Sequence, residues 1–290
     1  MNLFVRSCLF SIFILSFHFT HAQSSDFSQQ LKFAKYLEDK HLYKEAVYIL
    51  LQNDTTVLSS TQKDSLFYQM GWLFYQQKQL QQSAKYFLKI SPQSNDYNKS
   101  RHFAAYNFAY LKDYDTASSI WARMKLQDSI LAELTSFELS GLALLQRNYL
   151  AFDSLKKKYS YTYYPFSDEE KNMEEYGMKM RSYKTKSPFL AGLYSTLLPG
   201  AGRFYAGKKK QAIGSFLQMA GLGLLTYEAY KKDGIKSGRF IAFGSIFALF
   251  YTANIWGSIV TIKVKAKEFY NYYDNKILFD MHIPLRSIFN

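Results

Sequence analysis

The side chains that most often act in catalysis or metal binding are few and widely spaced in this chain of 290 residues. The single cysteine, Cys8, excludes both a disulfide pair and a cysteine-based zinc site. The five histidines include no His-x-x-x-His pair, which would place two ligands on one face of a helix. No serine has the Gly-x-Ser-x-Gly spacing of a hydrolase nucleophile. The sequence therefore predicts no enzymatic activity, no metal site and no bound cofactor.

A glycine-rich stretch has part of the spacing of a phosphate-binding loop. Gly202, Gly207 and Lys208 fit Gly-x4-Gly-Lys, in which backbone amides and a lysine hold nucleotide phosphates. Lys209 stands where that loop needs a serine or threonine for magnesium, and no apolar strand comes before it. The sequence therefore predicts no nucleotide binding.

The composition is that of a folded and strongly basic protein. Hydrophobic residues make up 48% of the chain, enough for a substantial core, and 14 glycines and 5 prolines are too few for a turn-rich β protein. The 36 Lys and Arg outnumber the 23 Asp and Glu, which gives a net charge of +13. Many of these cations flank apolar segments, so we expect anionic lipid rather than nucleic acid as their partner.

Residues 1–22 have the pattern of a secretory signal peptide. Arg6 supplies the positive charge, residues 8–17 form the apolar segment, and Ala22 ends a cleavage site of small residues. An uncleaved membrane anchor is the alternative. The signal predicts export, with the following domain in the periplasm and the inner membrane favoured over the outer. Cleavage would remove Cys8 and leave the mature chain without a thiol.

Helical repeats are predicted over residues 27–159, where apolar residues follow helical spacing and proline occurs once, at Pro92. Four apolar residues recur at intervals of 37, 34 and 35 positions; they are Tyr43, Leu80, Tyr114 and Tyr149. A period of about 34 residues is typical of stacked helix–turn–helix units. An ordinary helical bundle is the alternative.

This stretch resembles the tetratricopeptide-repeat family, in which small residues stand where two helices cross and large ones fill the gaps between units. The positions that fit are Ala34, Leu37, Ala46 and Leu50, then Gly71, Phe74, Ser83 and Phe87, then Ala105, Phe108, Ala117 and Trp121. The fourth unit departs from the pattern at Phe152 or Asp153, as a degenerate end cap would. The resemblance implies an α-solenoid with a concave groove lined by the first helix of each unit.

An aromatic protein-binding groove is implied by the same resemblance. The residues it assigns to the groove are Tyr68, Trp72, Tyr75, His102, Tyr106 and Tyr110. Rings with polar tips are typical of interface anchors, so we expect an extended or helical protein segment to bind there. The alternative is that these rings pack between repeats.

After a linker at residues 160–187, a helical membrane module is predicted at residues 188–270. Of its three apolar stretches, Gln211–Tyr230 and Phe240–Ile262 have the ~20 residues needed to cross a bilayer, whereas Pro188–Leu198 is too short. A buried soluble hairpin is the alternative. Residues suited to close helix packing in lipid, including one amide that could bond between helices, are Gly244, Ala248, Ala253, Asn254 and Gly257.

A turn with the pattern P-G-x-G-x-x-Y-x-G separates the first two apolar stretches. The residues of this membrane turn motif are Pro199, Gly200, Gly202, Arg203, Tyr205 and Gly207. The pattern resembles a family of small bacterial domains with paired transmembrane helices, largely without assigned biochemistry. Asn254-Ile255-Trp256-Gly257 is similar to a recurring element of related exported proteins. We expect tyrosine at the head-group level and the cations of the turn near lipid phosphates.

The number of membrane spans and the position of the C-terminus are left open by the charges, because Lys or Arg flank every apolar stretch. Two spans after an exported repeat domain would return the C-terminus to the side of the repeats, and three would leave it in the cytoplasm. In the tail, residues 271–290, apolar side chains alternate, which predicts a short strand or a segment lying on the membrane.

The sequence thus predicts an all-α protein, an α-solenoid of tetratricopeptide-like hairpins followed by a helical transmembrane module. We expect an exported, membrane-anchored adaptor whose repeats bind a protein partner, held at a bilayer with anionic head groups. The alternative is an accessory for membrane protein assembly or insertion that acts through its C-terminal helices. Deleting Lys186–Asn290 separates the two, since only an adaptor would keep partner binding.

Overall fold

A computed structural model describes residues 27–124 and 128–289 of the chain; the predicted signal peptide lies outside the described residues. All regular secondary structure in the described part is helical, so the prediction of an all-α fold is confirmed. The α-helices are α1 (Phe27–Asp39), α2 (Tyr43–Leu51), α3 (Ser60–Gln76), α4 (Leu80–Phe87), α5 (Tyr97–Tyr110), α6 (Tyr114–Ala122), α7 (Ser129–Leu145), α8 (Tyr149–Leu155), α9 (Ser167–Ser182), α10 (Pro188–Leu197), α11 (Ala201–Tyr205), α12 (Lys209–Asp233) and α13 (Gly238–Phe289).

The described residues form two compact units. Unit 1 contains the residues up to Leu142 together with those from Pro284 onward. Unit 2 contains Ala143–Ile283. The last helix, α13, therefore begins in unit 2 and ends in unit 1.

The helices at the start of unit 1 pack in chain order, and each of α1 to α5 contacts the next. Small residues permit this close approach: Ala34 and Ala46 are fully buried in one apolar cluster built from α1, α2 and α3. Gly71 on α3 lies under the ring of Phe87 on α4, and a Cβ atom at Gly71 would lie 2.6 Å from that ring. The alternation of small and large residues read from the sequence thus corresponds to packing between paired helices.

One turn geometry recurs at the predicted repeat period. Its central residues adopt left-handed φ angles of 59° to 65° at intervals of 37, 34 and 35 positions; they are His41, Lys78, Lys112 and Arg147. The amide that follows each of them donates to the carbonyl five residues earlier, at 2.8 to 2.9 Å. This hydrogen bond satisfies a carbonyl at the helix end. The fourth turn keeps the geometry although its unit departs from the sequence pattern.

We expect Lys112→Gly to raise the free energy of unfolding by about 1 kcal/mol, because a Cβ atom is disfavoured at positive φ. Lys112 is exposed, with a φ of 65°, so the change should cost no packing. The matched control is Lys85→Gly, at an exposed position inside α4, which should lower the same quantity by about 1 kcal/mol. Urea unfolding measures both, and a loss of stability in both variants would contradict the turn geometry.

Phe152 is buried in unit 2 although a small residue is expected at its position. The small residue comes from α9 instead: a Cβ atom at Gly177 would lie 2.7 Å from the ring of Phe152. Helix α9 also packs on α13, where Tyr176 lies 5.7 Å from Tyr273 between ring centroids, and Tyr183, directly after α9, stacks on Phe269 at 3.8 Å. The predicted linker therefore contains a packed helix.

Helix α13 has 52 residues, a length of about 78 Å at 1.5 Å per residue. The short strand predicted for residues 271–290 is wrong, because this segment belongs to the helix. Ile277, Met281 and Leu285 are fully buried at the i, i+4 spacing of one helix face. Phe279, which has the same alternating pattern in the sequence, is 64% exposed.

Among the described residues, α13 is the one helix that is both long and apolar enough to cross a membrane. Its most apolar window is only 17% buried, unlike the core helix of a soluble protein. The other predicted span lies in α12, which is long enough but is interrupted by polar residues such as Gln218 and Glu228. Large apolar side chains are exposed on both helices, including Ile213, Leu217, Leu224, Ile241, Leu249 and Trp256.

Candidate functional site

The aromatic residues of α3 and α5 in unit 1 form one connected set, called here the aromatic surface. It consists of Tyr68, Trp72, Tyr75, His102, Phe103, Tyr106 and Tyr110. Trp72 and Tyr75 stack at 5.5 Å, and each meets the buried ring of Phe103 edge-on, at 5.5 and 5.4 Å between centroids. Lys99 Nζ lies 5.1 Å from the ring centre of Tyr68 and 5.8 Å from that of Trp72. Several of the predicted groove residues therefore also pack between repeats.

The exposed part of the aromatic surface is a cavity of about 380 Å³. Its walls come from both helices and the turn after α3; they are Tyr75, Gln76, Lys78, Leu80, Tyr106 and Tyr110. Burial raises the pKa of both Tyr75 and Tyr106, so their phenol groups stay neutral and able to donate hydrogen bonds. Tyr110 is 53% exposed at the rim. This cavity offers apolar walls and hydroxyl groups to a ligand, without a buried charge among its lining residues.

His102 is completely buried, unlike the surface position that the repeat register predicts. Trp121 Nε1 donates a hydrogen bond to His102 Nδ1 at 3.2 Å, and the ring of Phe289 lies 5.6 Å from the imidazole. Since the indole can only donate, His102 Nδ1 must be unprotonated. Burial lowers the pKa of His102 to about 3, so the imidazole is a neutral packing group.

The end of the chain lies against the aromatic surface within unit 1. The Phe289 ring is 6.5 Å from Phe103 as well as near His102. The charge of Arg286 acts to lower the pKa of Tyr75, against the larger effect of burial, which raises it. The repeat pattern gave no sign of these contacts. The i, i+4 pair of Leu285 and Phe289 was the only available signal.

A second buried titratable group of unit 1 is Glu138 on α7. Its side chain is fully buried, and neither carboxylate oxygen has a hydrogen-bond partner in the described part of the chain. Burial raises the pKa of this carboxyl well above its ordinary value, because its charged form is disfavoured away from water. This residue was not among those predicted from the sequence.

The turn motif of unit 2 is held by the close approach of backbones. Gly200 has a φ of 85° and begins α11, and a Cβ atom there would lie 2.3 Å from the Ala212 carbonyl oxygen. A Cβ atom at Gly202 would lie 2.0 Å from the carbonyl oxygen of Ala191. Glycine at both positions therefore lets α11 fit against α10 and α12. Gly207, with a φ of 83°, ends α11 in the same type of turn as the repeats.

A chain of hydrogen bonds joins the turn motif to α13. The Gly202 amide donates to Ser195 Oγ at 3.1 Å, and Ser195 Oγ donates to Ser258 Oγ at 2.7 Å. Ser258 Oγ in turn donates to the Asn254 carbonyl oxygen at 2.9 Å. The side-chain amide of Asn254 is buried and has no partner among the described residues. The predicted turn and the Asn254 region thus belong to one site.

Arg203 also connects the turn to the neighbouring helices. Its guanidinium bonds Ser215 on α12, and a Cβ atom at Gly257 on α13 would lie 2.7 Å from it. The other predicted packing residues differ in their surroundings. Gly244 approaches Thr226 at ordinary contact distance, whereas Ala248 and Ala253 are exposed, so their packing role stays a prediction.

Lysines surround the end of α11, where the backbone carbonyls are free of helical partners. Lys186 Nζ donates to the Tyr205 carbonyl at 2.7 Å, and Lys265 Nζ donates to the Ala206 carbonyl at 2.8 Å. Cations are favoured at this negative end of a helix. Further lysines follow at Lys208, Lys209 and Lys210, and the first of them pairs with Glu268 at 3.0 Å. The cluster lies beside the apolar part of α13, where a head-group layer would begin.

No protein-family model, no curated protein and no solved structure matches this chain. The resemblances to the tetratricopeptide repeats and to the paired-helix domains therefore stay predictions, and the function must be argued from the two sites themselves.

Proposed function

We propose that the protein is a membrane-anchored adaptor whose helical repeats bind a segment of another protein on the aromatic surface. The observation that carries the proposal is the cavity lined by Tyr75, Tyr106 and Tyr110, which spans two successive helix pairs. Interfaces rely on a few aromatic anchors in well-packed pockets. Neutral phenols with apolar bodies suit a peptide, since they contact its side chains and bond its backbone.

The anchoring part of the proposal is supported by the apolar surface of unit 2. Helix α13 carries Leu249 and Trp256 at 70% and 69% exposure, which is costly in water and favourable in lipid. The lysines around α11 suit anionic head groups at the edge of such a layer. Together with the predicted signal peptide, this surface supports our proposal that the repeats lie in the periplasm and the helices in the inner membrane.

The test of partner binding uses a photo-crosslinking amino acid at Tyr110, which is 53% exposed on the aromatic surface. The matched control places it at Tyr164, a tyrosine of unit 2 that is 94% exposed. We expect one protein to be captured from intact cells at Tyr110 and not at Tyr164. Substituting Leu80, which lines the same cavity, by Glu should abolish that adduct without changing thermal unfolding. Equal capture at both positions would contradict the adaptor.

We propose a two-span topology, which the path of the chain supports. Only residues 234–237 join α12 to α13, and Tyr230 meets Phe240 across this connection, so the two helices run as a hairpin. If α13 crosses the bilayer, α12 must cross it in the opposite direction. Because the residues from Pro284 onward belong to the same compact unit as the repeats, both must lie on one side of the membrane.

Cysteine labelling tests this topology, since Cys8→Ser gives a background without thiols. Single cysteines replace exposed residues at Gln93 in the repeats, Ser287 at the chain end and Ile235 in the hairpin connection. We expect an impermeant maleimide to label the first two in intact spheroplasts and the third only after lysis. Opposite labelling of Gln93→Cys and Ser287→Cys would exclude two spans.

A second candidate function, an accessory for membrane protein assembly, is favoured by one observation. An apolar cavity of about 270 Å³ opens beside the turn motif, between Phe204, Ile213 and Phe216. Ile213→Arg would place a charge in this cavity. An adaptor should keep its Tyr110 adduct in that variant, whereas an accessory that binds clients through the module should lose its activity.

A further inference from the structure

The last six described residues, Pro284–Phe289, form a short amphipathic element of unit 1. Leu285 is fully buried, Phe289 one turn later is half-buried, and Arg286 between them is exposed. The Phe289 ring is in contact with the aromatic surface, at 5.6 Å from His102. The element therefore has the form of a helical ligand seated by an aliphatic and an aromatic anchor.

Pro284 marks where this element begins. It lies inside α13, where proline lacks the amide hydrogen for an intrahelical bond and its ring crowds the preceding turn. The division between the two compact units falls at the same residue. Pro284 leaves α13 one intrahelical hydrogen bond short where the six residues begin, and the contacts of Phe289 with His102 and Phe103 help to hold them in place.

We infer that Pro284–Phe289 is a resident ligand of the aromatic surface, which a partner must displace. This inference rests on the proposed adaptor function and adds the chemistry of the partner. The partner segment is an amphipathic helix with an aliphatic residue at one position and an aromatic residue four later, as in Leu285 and Phe289. The open cavity beside Tyr75 is where such a helix first docks, since Tyr75 and Phe289 both contact the ring of Phe103.

The strength of the competition follows from the tether. A segment on a short connection acts at an effective concentration of about 1 mM. If a free peptide of this sequence binds with a Kd of about 0.1 mM, the resident copy weakens its binding roughly tenfold. Such a resident segment shields the aromatic rings when no partner is present and yields to a longer helix that also fills the cavity.

The test measures binding of a fluorescein-labelled peptide with the sequence of residues 278–290 to the full-length protein in detergent. We expect the Phe289→Ala protein to bind the peptide about tenfold more tightly than the wild type, because its own segment has lost its anchor. A chain ending at Arg286 should behave like Phe289→Ala, which keeps the test valid if one variant folds poorly. The peptide carrying Phe289→Ala should bind neither protein.

Equal affinity for wild type and variants, no binding to either variant, or binding that ignores Phe289→Ala in the peptide would each overturn the inference. Failure of this inference can be distinguished from failure of the proposed adaptor function. If a partner is captured at Tyr110 but the peptide assay fails, the adaptor function is kept and the inference of a resident ligand is rejected. Loss of both would show that the aromatic surface is only a packing interface.

Discussion

Gly202→Ala should destabilise the helical module of unit 2 by about 3 kcal/mol or more, the largest effect we expect from a single methyl group in this chain. The added Cβ atom would lie 2.0 Å from the Ala191 carbonyl oxygen and 2.5 Å from Ser195 Oγ, both on α10. A backbone carbonyl cannot rotate away as the end of a long side chain does. Helix α11 would therefore have to separate from α10.

The separation would also break the hydrogen bond from the Gly202 amide to Ser195 Oγ and weaken the bond from Ser195 to Ser258. Each lost bond inside a buried site adds about 1 kcal/mol or more to the cost of overpacking. Thermal unfolding and protease resistance of the detergent-solubilised protein measure the loss. The steric overlap and the lost hydrogen bonds thus both lower the stability of the module.

Gly214→Ala is the matched control, because no atom lies within 4 Å of a Cβ atom built there. Alanine at this position of α12 should be neutral or slightly stabilising, since it has the higher helix propensity. If Gly202→Ala were as stable as Gly214→Ala, the close contact between α10 and α11 would be wrong. The paired-helix resemblance would then lose its structural support at the position that its motif fixes.

Local features of this fold could be read from the sequence. The spacing of Tyr43, Leu80 and Tyr114 locates the repeated turns, because a helical pair has a fixed length and begins its second helix at a fixed register. The glycines of the turn motif were recognisable because positive φ and close backbone approach both exclude other residues. At Lys78 and Lys112 the same backbone conformation occurs without glycine, so the residue type gave no signal there.

Contacts between distant parts of the chain could not be read in this way. Tyr176 donates to Asp280 Oδ2 at 2.8 Å across 104 residues, and nothing in either local sequence requires the other. The tail was misread for a related reason. Alternation at period 2 contains period 4, so Ile277 and Met281 fit both a strand and one face of a helix. The length of α13 decides between them, because the segment continues a helix that is already formed.

The candidate site was predicted only in part. The repeat register assigns Tyr75, Tyr106 and Tyr110 to one groove, and in the structure all three line one cavity; Tyr106 and Tyr110, four residues apart, share a helix face. It also assigned His102 to the open surface, where the structure buries it. The covering residues are Trp121 from the next helix and Phe289 from the chain end, and neither follows from the first-helix register.

Acid should destabilise unit 1, because unfolding allows His102 to take up a proton. An ordinary histidine has a pKa of 6.5, and burial lowers that of His102 to about 3 in the folded protein. Below pH 6.5 the unfolded chain binds a proton that the folded chain does not bind. The contribution of His102 to the free energy of unfolding is therefore fully present above that pH and is lost as the pH approaches 3. At about 1.4 kcal/mol per pKa unit, the full loss is about 5 kcal/mol. Protonation would also oppose the hydrogen bond from Trp121.

His102→Asn isolates this effect, because the amide oxygen can accept the Trp121 hydrogen bond but cannot take up a proton. We expect the urea midpoint of the variant, relative to that of the wild type, to rise as the pH falls from 6.5 to 4, because only the wild type takes up a proton at this position on unfolding. His41→Asn, at an exposed histidine, should leave the wild-type profile unchanged. An equally steep acid loss in His102→Asn would assign the proton uptake to other groups.

Glu138 should produce the opposite slope in the same unit. Because its pKa is raised in the folded protein, the contribution of Glu138 to the free energy of unfolding is fully present below the ordinary value of 4.5. It is lost as the pH rises toward the pKa of the folded state. Glu138→Gln should therefore stabilise the protein at pH 7 and leave it almost unchanged at pH 4. With both His102→Asn and Glu138→Gln, the free energy of unfolding should depend less on pH, because these two buried groups, which give it opposite slopes, would no longer titrate.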